Sequence, residues 1–236
     1  MSLGLLADQV RPLTDSERFR FRCHPGVGCF TECCRELELA LAPYDVVRLA
    51  RRLGITTALF LDRYAVVEQG EGDLFPRVFL AMIDDGRASC PFVGPAGCTV
   101  YSDRPAPCRT YPLGRGASLK EDGSVALLHV LLTEPHCQGF AESAEQDVAA
   151  WTADQGLIPY QRMNDQLLRL LQHPQTKRGW RPSEAQCAHY LTTLYDLDGF
   201  RHALPPNTPE RDTLLADDEQ LLAHVIDSLI REFYDD

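Results

Sequence analysis

The cysteines are the residues of this chain whose type and spacing best suit chemistry. Four fall in the segment 23–34 and three in 90–108, and both segments are rich in glycine and proline. Cysteine thiolates are soft ligands for zinc and iron. The pattern predicts a metal centre whose candidate ligands are Cys23, Cys29, Cys33, Cys34, Cys90, Cys98, Cys108 and Cys137.

Such a centre needs groups that offset its negative charge. A four-cysteine site carries a net charge of about −2 with either zinc or an oxidised four-iron cluster. Backbone N–H groups in glycine-containing loops and nearby guanidinium groups can supply the compensation. The candidates are Gly26, Gly28, Gly94, Gly97, Arg35, Arg104, Arg109 and Arg115.

The adjacent pair Cys33 and Cys34 restricts the type of site. Neighbouring side chains diverge, so one tetrahedral zinc accepts both with difficulty. Either one is a ligand and the other a supporting thiol, or they bind different metal atoms. Eight cysteines exceed one four-ligand site, which leaves two sites or spare thiols as alternatives. We interpret Cys187 as a buried structural cysteine, and His24 and His136 as loop residues rather than ligands.

Composition places the chain among ordinary globular proteins. It has 236 residues, 44% hydrophobic and 24% charged, with a net charge of −11. The negative charge argues against a general nucleic-acid binder. Met1–Asp8 lacks the basic start of a signal peptide, and no stretch reaches the roughly 18 apolar residues of a membrane span. We therefore expect a cytoplasmic protein, where metal binding is favoured over disulfides.

Local patterns predict the elements that hold the first cysteine loop. Residues 18–21 alternate like a short strand leading to Cys23, and 36–41 like a second strand. A helix should begin at Pro43 and end at Gly54, followed by one capped by Thr56 or Thr57.

Further along, residues 65–90 are predicted to be β-rich, and 118–132 to form a hairpin turning near Gly123. The segment 88–116 should lack regular structure, with metal supplying its order. Helical patterns dominate from residue 142, ending in one long helix over 209–234.

The predicted fold is α+β: a small, irregular, metal-stapled β-containing core with surrounding helices and a mainly helical C-terminal half. The predicted domains are a metal-binding one over 18–140 and a helical extension over 141–236.

One ordered set of motifs supports a family resemblance. It comprises Phe21-Arg-Cys23, Cys29-Phe-Thr-Glu-Cys33-Cys34-Arg35, Pro43-Tyr44-Asp45, Cys90-Pro-Phe, Gly97-Cys98-Thr-Val-Tyr101, Arg104-Pro105, Cys108-Arg109 and Tyr111-Pro112. Over about residues 20 to 140 the chain resembles the YkgJ-like cysteine-cluster family, which is described as zinc- or iron-chelating and often labelled iron–sulfur. The resemblance implies metal binding by these cysteines.

An iron–sulfur cluster of the 4Fe-4S type is the favoured cofactor, and zinc is the alternative. All candidate ligands are sulfur, and the C-x2-C pair of ordinary zinc knuckles is absent.

We interpret the chain as a metal-binding protein without an assigned activity. The alternatives are an iron–sulfur enzyme for redox chemistry or S-adenosylmethionine-dependent methyl transfer, as in flagellin lysine methylases with a related cysteine pattern, and a structural zinc adaptor. No catalytic residue, substrate, partner or oligomeric state is predicted.

Overall fold

The computed structural model describes residues 9–234. Met1–Asp8, where we expect no signal peptide, and residues 235–236 lie outside the described residues. The strands are β1 (Val10–Leu13), β2 (Phe19–Arg20), β3 (Ala40–Leu41), β4 (Ala65–Glu68), β5 (Arg77–Leu80), β6 (Val93–Gly94), β7 (Gly97–Cys98), β8 (Leu113–Leu119), β9 (Val125–Leu132) and β10 (Glu145–Gln146). The helices are α1 (Pro43–Leu53), α2 (Thr57–Tyr64), α3 (Ala106–Thr110), α4 (Val148–Asp154), α5 (Ile158–Leu171), α6 (Pro174–Lys177), α7 (Glu184–Tyr195), α8 (Leu197–Ala203), α9 (Arg211–Ala216) and α10 (Asp218–Tyr234).

This arrangement confirms the α+β class and the helical C-terminal half. The strands pair as small antiparallel sheets in the orders β1-β9-β8, β3-β5-β4, β10-β2 and β6-β7. None of the helices described between residues 9 and 234 has the length and apolar character needed to cross a membrane.

The chain divides into two compact units that interleave along the sequence. The first unit contains the described residues up to 37 together with 82–99 and 106–159. The second contains 38–81, 100–105 and the described residues from 160 onward. All eight candidate ligands belong to the first unit. The domain division at residue 140 stays a prediction.

An aromatic core organises the first unit. Phe21 lies edge-on to Tyr111, Phe140 and Trp151, with ring centroids 5.7, 5.1 and 5.5 Å apart. Such edge-to-face pairs add to the free energy of area burial. The buried members of this core are Leu13, Phe19, Phe21, Leu113, Leu131, Val148 and Trp151.

The β8–β9 hairpin forms as predicted around its turn. Leu113 pairs with Leu131 and Leu119 with Val125, and Gly123 adopts a φ of 81° in the connection. A left-handed φ is accessible to glycine without the steric cost of a Cβ.

Local signals also place the predicted helix boundaries in the second unit. Asp45 Oδ2 accepts a 2.8 Å hydrogen bond from the N–H of Ala42 at the start of α1, and Gly54 ends that helix with a φ of 65°. The Thr56 hydroxyl caps α2 by accepting the N–H of Leu59 at 3.2 Å. Both helices are therefore determined by residues within or next to them.

Ion pairs around the buried carboxylate of Asp198 connect several helices of the second unit. Arg51 donates to both carboxylate oxygens of Asp198 at 2.9 and 2.7 Å and to those of Asp218 at 2.9 and 2.8 Å. Asp198 Oδ2 also accepts the N–H of Thr57 at 2.9 Å. Arg201 donates to Asp218. These bonds join α1, α2, α8 and α10.

Three local predictions were wrong in part. The segment 88–116 is not irregular throughout, because it contains β6, β7, α3 and the beginning of β8. The strand predicted over 36–41 is reduced to Ala40–Leu41, since Glu36 adopts a left-handed φ of 51°. The last helix is divided at Asp217, whose Oδ1 caps α10 by accepting the N–H groups of Glu219 and Gln220.

Candidate metal centre

The first cysteine loop follows β2 and begins with Cys23, whose side chain is exposed. Next to it, His24 Nδ1 accepts the N–H of Gly26 at 3.1 Å, and His24 Nε2 lies 3.4 Å from Glu142 Oε2. Both ring nitrogens are therefore engaged in contacts that hold the loop. This agrees with the interpretation of His24 as a loop residue.

Cys29 and Cys137 form the first group of sulfurs, here called the Cys137 pair. Cys29 Sγ accepts the N–H of Gln138 at 3.2 Å. Burial raises the pKa of Cys137, and the Tyr111 hydroxyl group lowers it. The negative charge of Cys29 also raises the pKa of Cys137. The Gln138 side chain packs over Gly28, where a Cβ would lie 2.7 Å from Gln138 Oε1.

Cys33 and Cys34 lie on a single 3₁₀ turn, Glu32–Cys34. A hydrogen bond from Cys34 lowers the pKa of Cys33 to about 7, and the same bond raises the pKa of Cys34. Cys33 is exposed and Cys34 half-buried. The turn therefore presents one thiol readily converted to a thiolate beside one that keeps its proton.

The second cysteine segment runs alongside this turn. The N–H of Cys90 donates to the carbonyl oxygen of Cys34 at 2.8 Å, and the N–H of Glu36 donates to Ala88 at 3.0 Å. Glu36 and Ala88 both have left-handed φ values, 51° and 44°. Non-glycine residues held in this region carry steric cost that the surrounding contacts must offset.

The sulfurs of these two segments that influence one another electrostatically are here called the Cys34 group. Negative charge on Cys33, Cys90 and Cys108 raises the pKa of Cys34, in addition to the Cys33 hydrogen bond and burial. The pKa of Cys90 is raised by burial and also by the charges of Cys98 and Cys33. The group comprises Cys33, Cys34, Cys90, Cys98 and Cys108.

The four candidate arginines differ in position. Arg35 bridges to the buried Ser89 hydroxyl and lies 3.7 Å from Glu32, while its buried Nε has no hydrogen-bond acceptor among the described residues. Arg109 is buried and donates to the carbonyl oxygen of Gln155 at 2.7 Å. Arg104 belongs to the second unit, where it lies 3.9 Å from the centroid of the Tyr101 ring. Arg115 lies on β8.

The donor set suits a thiophilic metal. None of the nine cysteines, all of which lie within the described residues, is part of a disulfide, and Gln138 already directs an N–H at sulfur. Arg35 follows Cys34 in the sequence, and its guanidinium group contacts Ser89 and Glu32. In residues 9–234, no three or more Cys, His, Asp or Glu side chains are assembled as a site able to hold a metal ion. Cys187, predicted to be buried, is only half-buried on α7.

Sequence reasoning missed two residues that act on the sulfurs and one that contacts Arg35. The N–H of Gln138 donates a hydrogen bond to Cys29, and Ser89 accepts one from Arg35. The negative charge of Glu134 acts to raise the pKa of Cys33. The available signal was their position, because Gln138 follows Cys137 and Ser89 precedes Cys90.

The fold and the two groups of sulfurs define an α+β protein of the cysteine-cluster class. A model of the CxxCxxCC family, whose description reads "Putative zinc- or iron-chelating domain", matches residues 22–138. The match confirms the cysteine-cluster resemblance seen in the sequence. No curated protein and no solved structure matches the chain.

Proposed function

We propose that this protein binds an iron–sulfur cluster, of the four-iron type, through sulfur atoms of the Cys34 group. The observation that carries the proposal is the 2.8 Å hydrogen bond from the N–H of Cys90 to the carbonyl oxygen of Cys34, which joins the two cysteine segments. Charge on Cys90 and Cys108 acts on Cys34, although these residues are far apart in the sequence. Cys23, Cys29 and Cys137 are the remaining candidate ligands.

The arrangement of Cys33 and Cys34 favours a cluster over a single zinc ion. Successive side chains on a 3₁₀ turn project about 120° apart, since the turn has three residues per revolution. Two adjacent sulfurs are then better suited to separate irons, or to one ligand and one supporting thiol. Zinc in a closed four-cysteine site is the alternative.

The protein's own groups would stabilise the charge of the centre. Arg35 supplies a cation beside Cys34, and the N–H of Gln138 donates to Cys29 Sγ. When bound, an iron–sulfur cluster would supply one-electron redox capacity. A reducing compartment such as the cytoplasm would keep the nine thiols available for metal.

Anaerobic purification of the full chain, followed by absorption spectroscopy and analysis of iron, sulfide and zinc, tests the proposal. We expect a broad visible absorption band with iron and sulfide in comparable amounts. Colourless protein with stoichiometric zinc would replace the cluster by the zinc alternative. Protein that holds neither metal after anaerobic purification and reconstitution would overturn metal binding.

A further inference from the structure

An open cavity of about 400 Å³ lies in the first unit, between Glu36 and the loop 82–88. Cavities of about 300–1,000 Å³ commonly bind small molecules. No cysteine lines this one, so it is distinct from the candidate metal ligands. Its lining includes Glu36, Met82, Ile83, Asp84, Arg87 and Ala88.

Backbone hydrogen bonds fix the walls of the cavity. The N–H of Glu36 donates to the carbonyl oxygen of Ala88 at 3.0 Å, and the N–H of Ile83 donates to that of Ser89 at 2.8 Å. Glu36 and Ala88 both adopt left-handed φ values, which persist only where surrounding contacts hold them. The cavity is therefore formed before a ligand arrives, and a preformed site loses less conformational entropy on binding.

The charged groups around the cavity are unequally compensated. Arg87 Nη2 donates to Glu32 Oε2 at 2.8 Å, and Asp85 Oδ1 accepts the N–H of Arg87 at 3.0 Å. By contrast, the side chains of Glu36 and Asp84 form no hydrogen bond or ion pair within residues 9–234. Two carboxylates without a cation thus line the same cavity, and they favour a positively charged ligand.

The remaining lining is apolar. Ile83 is 48% exposed, although it is a large aliphatic residue, and Met82 beside it is half-buried. Methionine side chains adapt their shape to what they contact. Ligand pockets typically combine such apolar walls with a few polar groups that fix the orientation of the ligand.

We infer that this cavity binds a small alkylammonium ligand. Its ammonium group would donate hydrogen bonds to the carboxylates of Glu36 and Asp84, and its alkyl chain would pack on Met82 and Ile83. A hydrated Mg²⁺ ion would make no use of the apolar walls, and the two carboxylates would repel an anion. The inference goes beyond the proposed function and requires no metal.

The test is NMR spectroscopy of the full chain labelled with ¹³C-methyl methionine. The chain has three methionines, of which Met82 lines the cavity and Met163 on α5 is only 2% exposed. We expect n-hexylammonium to shift the Met82 signal saturably in the millimolar range and to leave the Met163 signal in place. n-Hexanol and hexanoate have the same chain length without the positive charge, and they should bind at least about tenfold more weakly. Met82→Leu assigns the signal.

Removal of the two carboxylate charges tests their role. Glu36→Gln combined with Asp84→Asn should weaken n-hexylammonium binding about tenfold. Glu38→Gln combined with Glu71→Gln is the matched control, because it removes two exposed carboxylates of the second unit. The control should leave the affinity unchanged.

Four results would each overturn the inference. They are the lack of a saturable shift of the Met82 signal, equally tight binding of n-hexanol, equal weakening in the two double variants, and displacement of n-hexylammonium by equimolar MgCl2 at constant ionic strength. The last result would assign the cavity to a metal cation. If the double variant at Glu36 and Asp84 failed to fold, the three six-carbon ligands compared on the wild type would still decide.

Discussion

The backbone N–H of Cys90 lies 2.8 Å from the carbonyl oxygen of Cys34, so the two main cysteine segments are joined by protein contacts alone. Arg35 and Ser89 extend the contact through a side-chain hydrogen bond. A metal centre in this region would therefore strengthen an association that the polypeptide already makes. This differs from small zinc domains that are unfolded without metal.

Replacing Cys34 or Cys108 by alanine should lower metal content and stability together. Both sulfurs belong to the Cys34 group, and a bound metal stabilises the folded state by the free energy of binding. Metal analysis and thermal unfolding provide the measurements. Cys187→Ala is the matched control, because Cys187 is also a half-buried free cysteine but lies on α7 in the second unit. Full metal retention in both Cys34→Ala and Cys108→Ala would remove these residues from the ligand set.

Gly139→Ala should destabilise the first unit and weaken metal retention. A Cβ at this position would lie 2.6 Å from Phe21 Cε2 and 3.0 Å from the carbonyl oxygen of Arg22. Overpacking of this kind costs about 1–3 kcal/mol. The resulting displacement of the backbone at residue 139 should reach Cys137, which lies two residues earlier. Denaturant unfolding measures the loss of stability.

Gly116→Ala is the control for this change. A Cβ at Gly116 would have its nearest contact, Leu128 Cβ, at 3.6 Å, an ordinary van der Waals distance. It should cost little, since its strand position accommodates a side chain. Equal losses from the two substitutions would contradict the role assigned to the Phe21 contact.

Structure determined by neighbouring residues was predictable from the sequence. Pro43, Asp45 and Gly54 place the ends of α1 because capping bonds and left-handed turns depend on residues within one turn of the boundary. Gly123 similarly marked the β8–β9 connection. By contrast, α3 has five residues, too few to display helical periodicity, and Pro107 near its start reads equally well as a loop residue.

The grouping of the sulfurs could not be predicted from spacing. Cys29 lies beside Cys137, and Cys34 beside Cys90, through hydrogen bonds between residues distant in the chain. Such contacts depend on the packing of entire segments. The cysteine count predicts metal binding, while the partition into the Cys34 group and the Cys137 pair required the fold.

Asp198→Asn should destabilise the second unit without lowering metal content. The carboxylate accepts hydrogen bonds from Arg51 and from the N–H of Thr57, and its side chain is only 12% exposed. Asp198 itself is buried but the Arg51 side chain is 35% exposed, so weakening these hydrogen bonds should cost about 1–3 kcal/mol. Chemical denaturation would measure the loss in the free energy of unfolding.

Asp227→Asn provides the comparison on the surface. Asp227 pairs with Arg169 at 2.8 Å, but both side chains are largely exposed, and exposed pairs contribute about 0–1 kcal/mol. The loss should therefore be several-fold smaller than for Asp198→Asn. A similar loss in both variants would contradict the importance of the Arg51 network.

The contribution of Asp198 should disappear in acid. Desolvation tends to raise the pKa of its carboxyl group, but hydrogen bonds from Arg51 and Thr57 outweigh it and leave the pKa below the ordinary value of about 4. Below that ordinary value the unfolded state binds a proton before the folded state does. The stabilisation is therefore complete above about pH 4 and is lost as the pH falls through the lowered pKa. Unfolding measured at several pH values should show the stabilities of the wild type and Asp198→Asn converging in acid. A difference in stability that stays constant with pH would instead assign the effect of the substitution to packing.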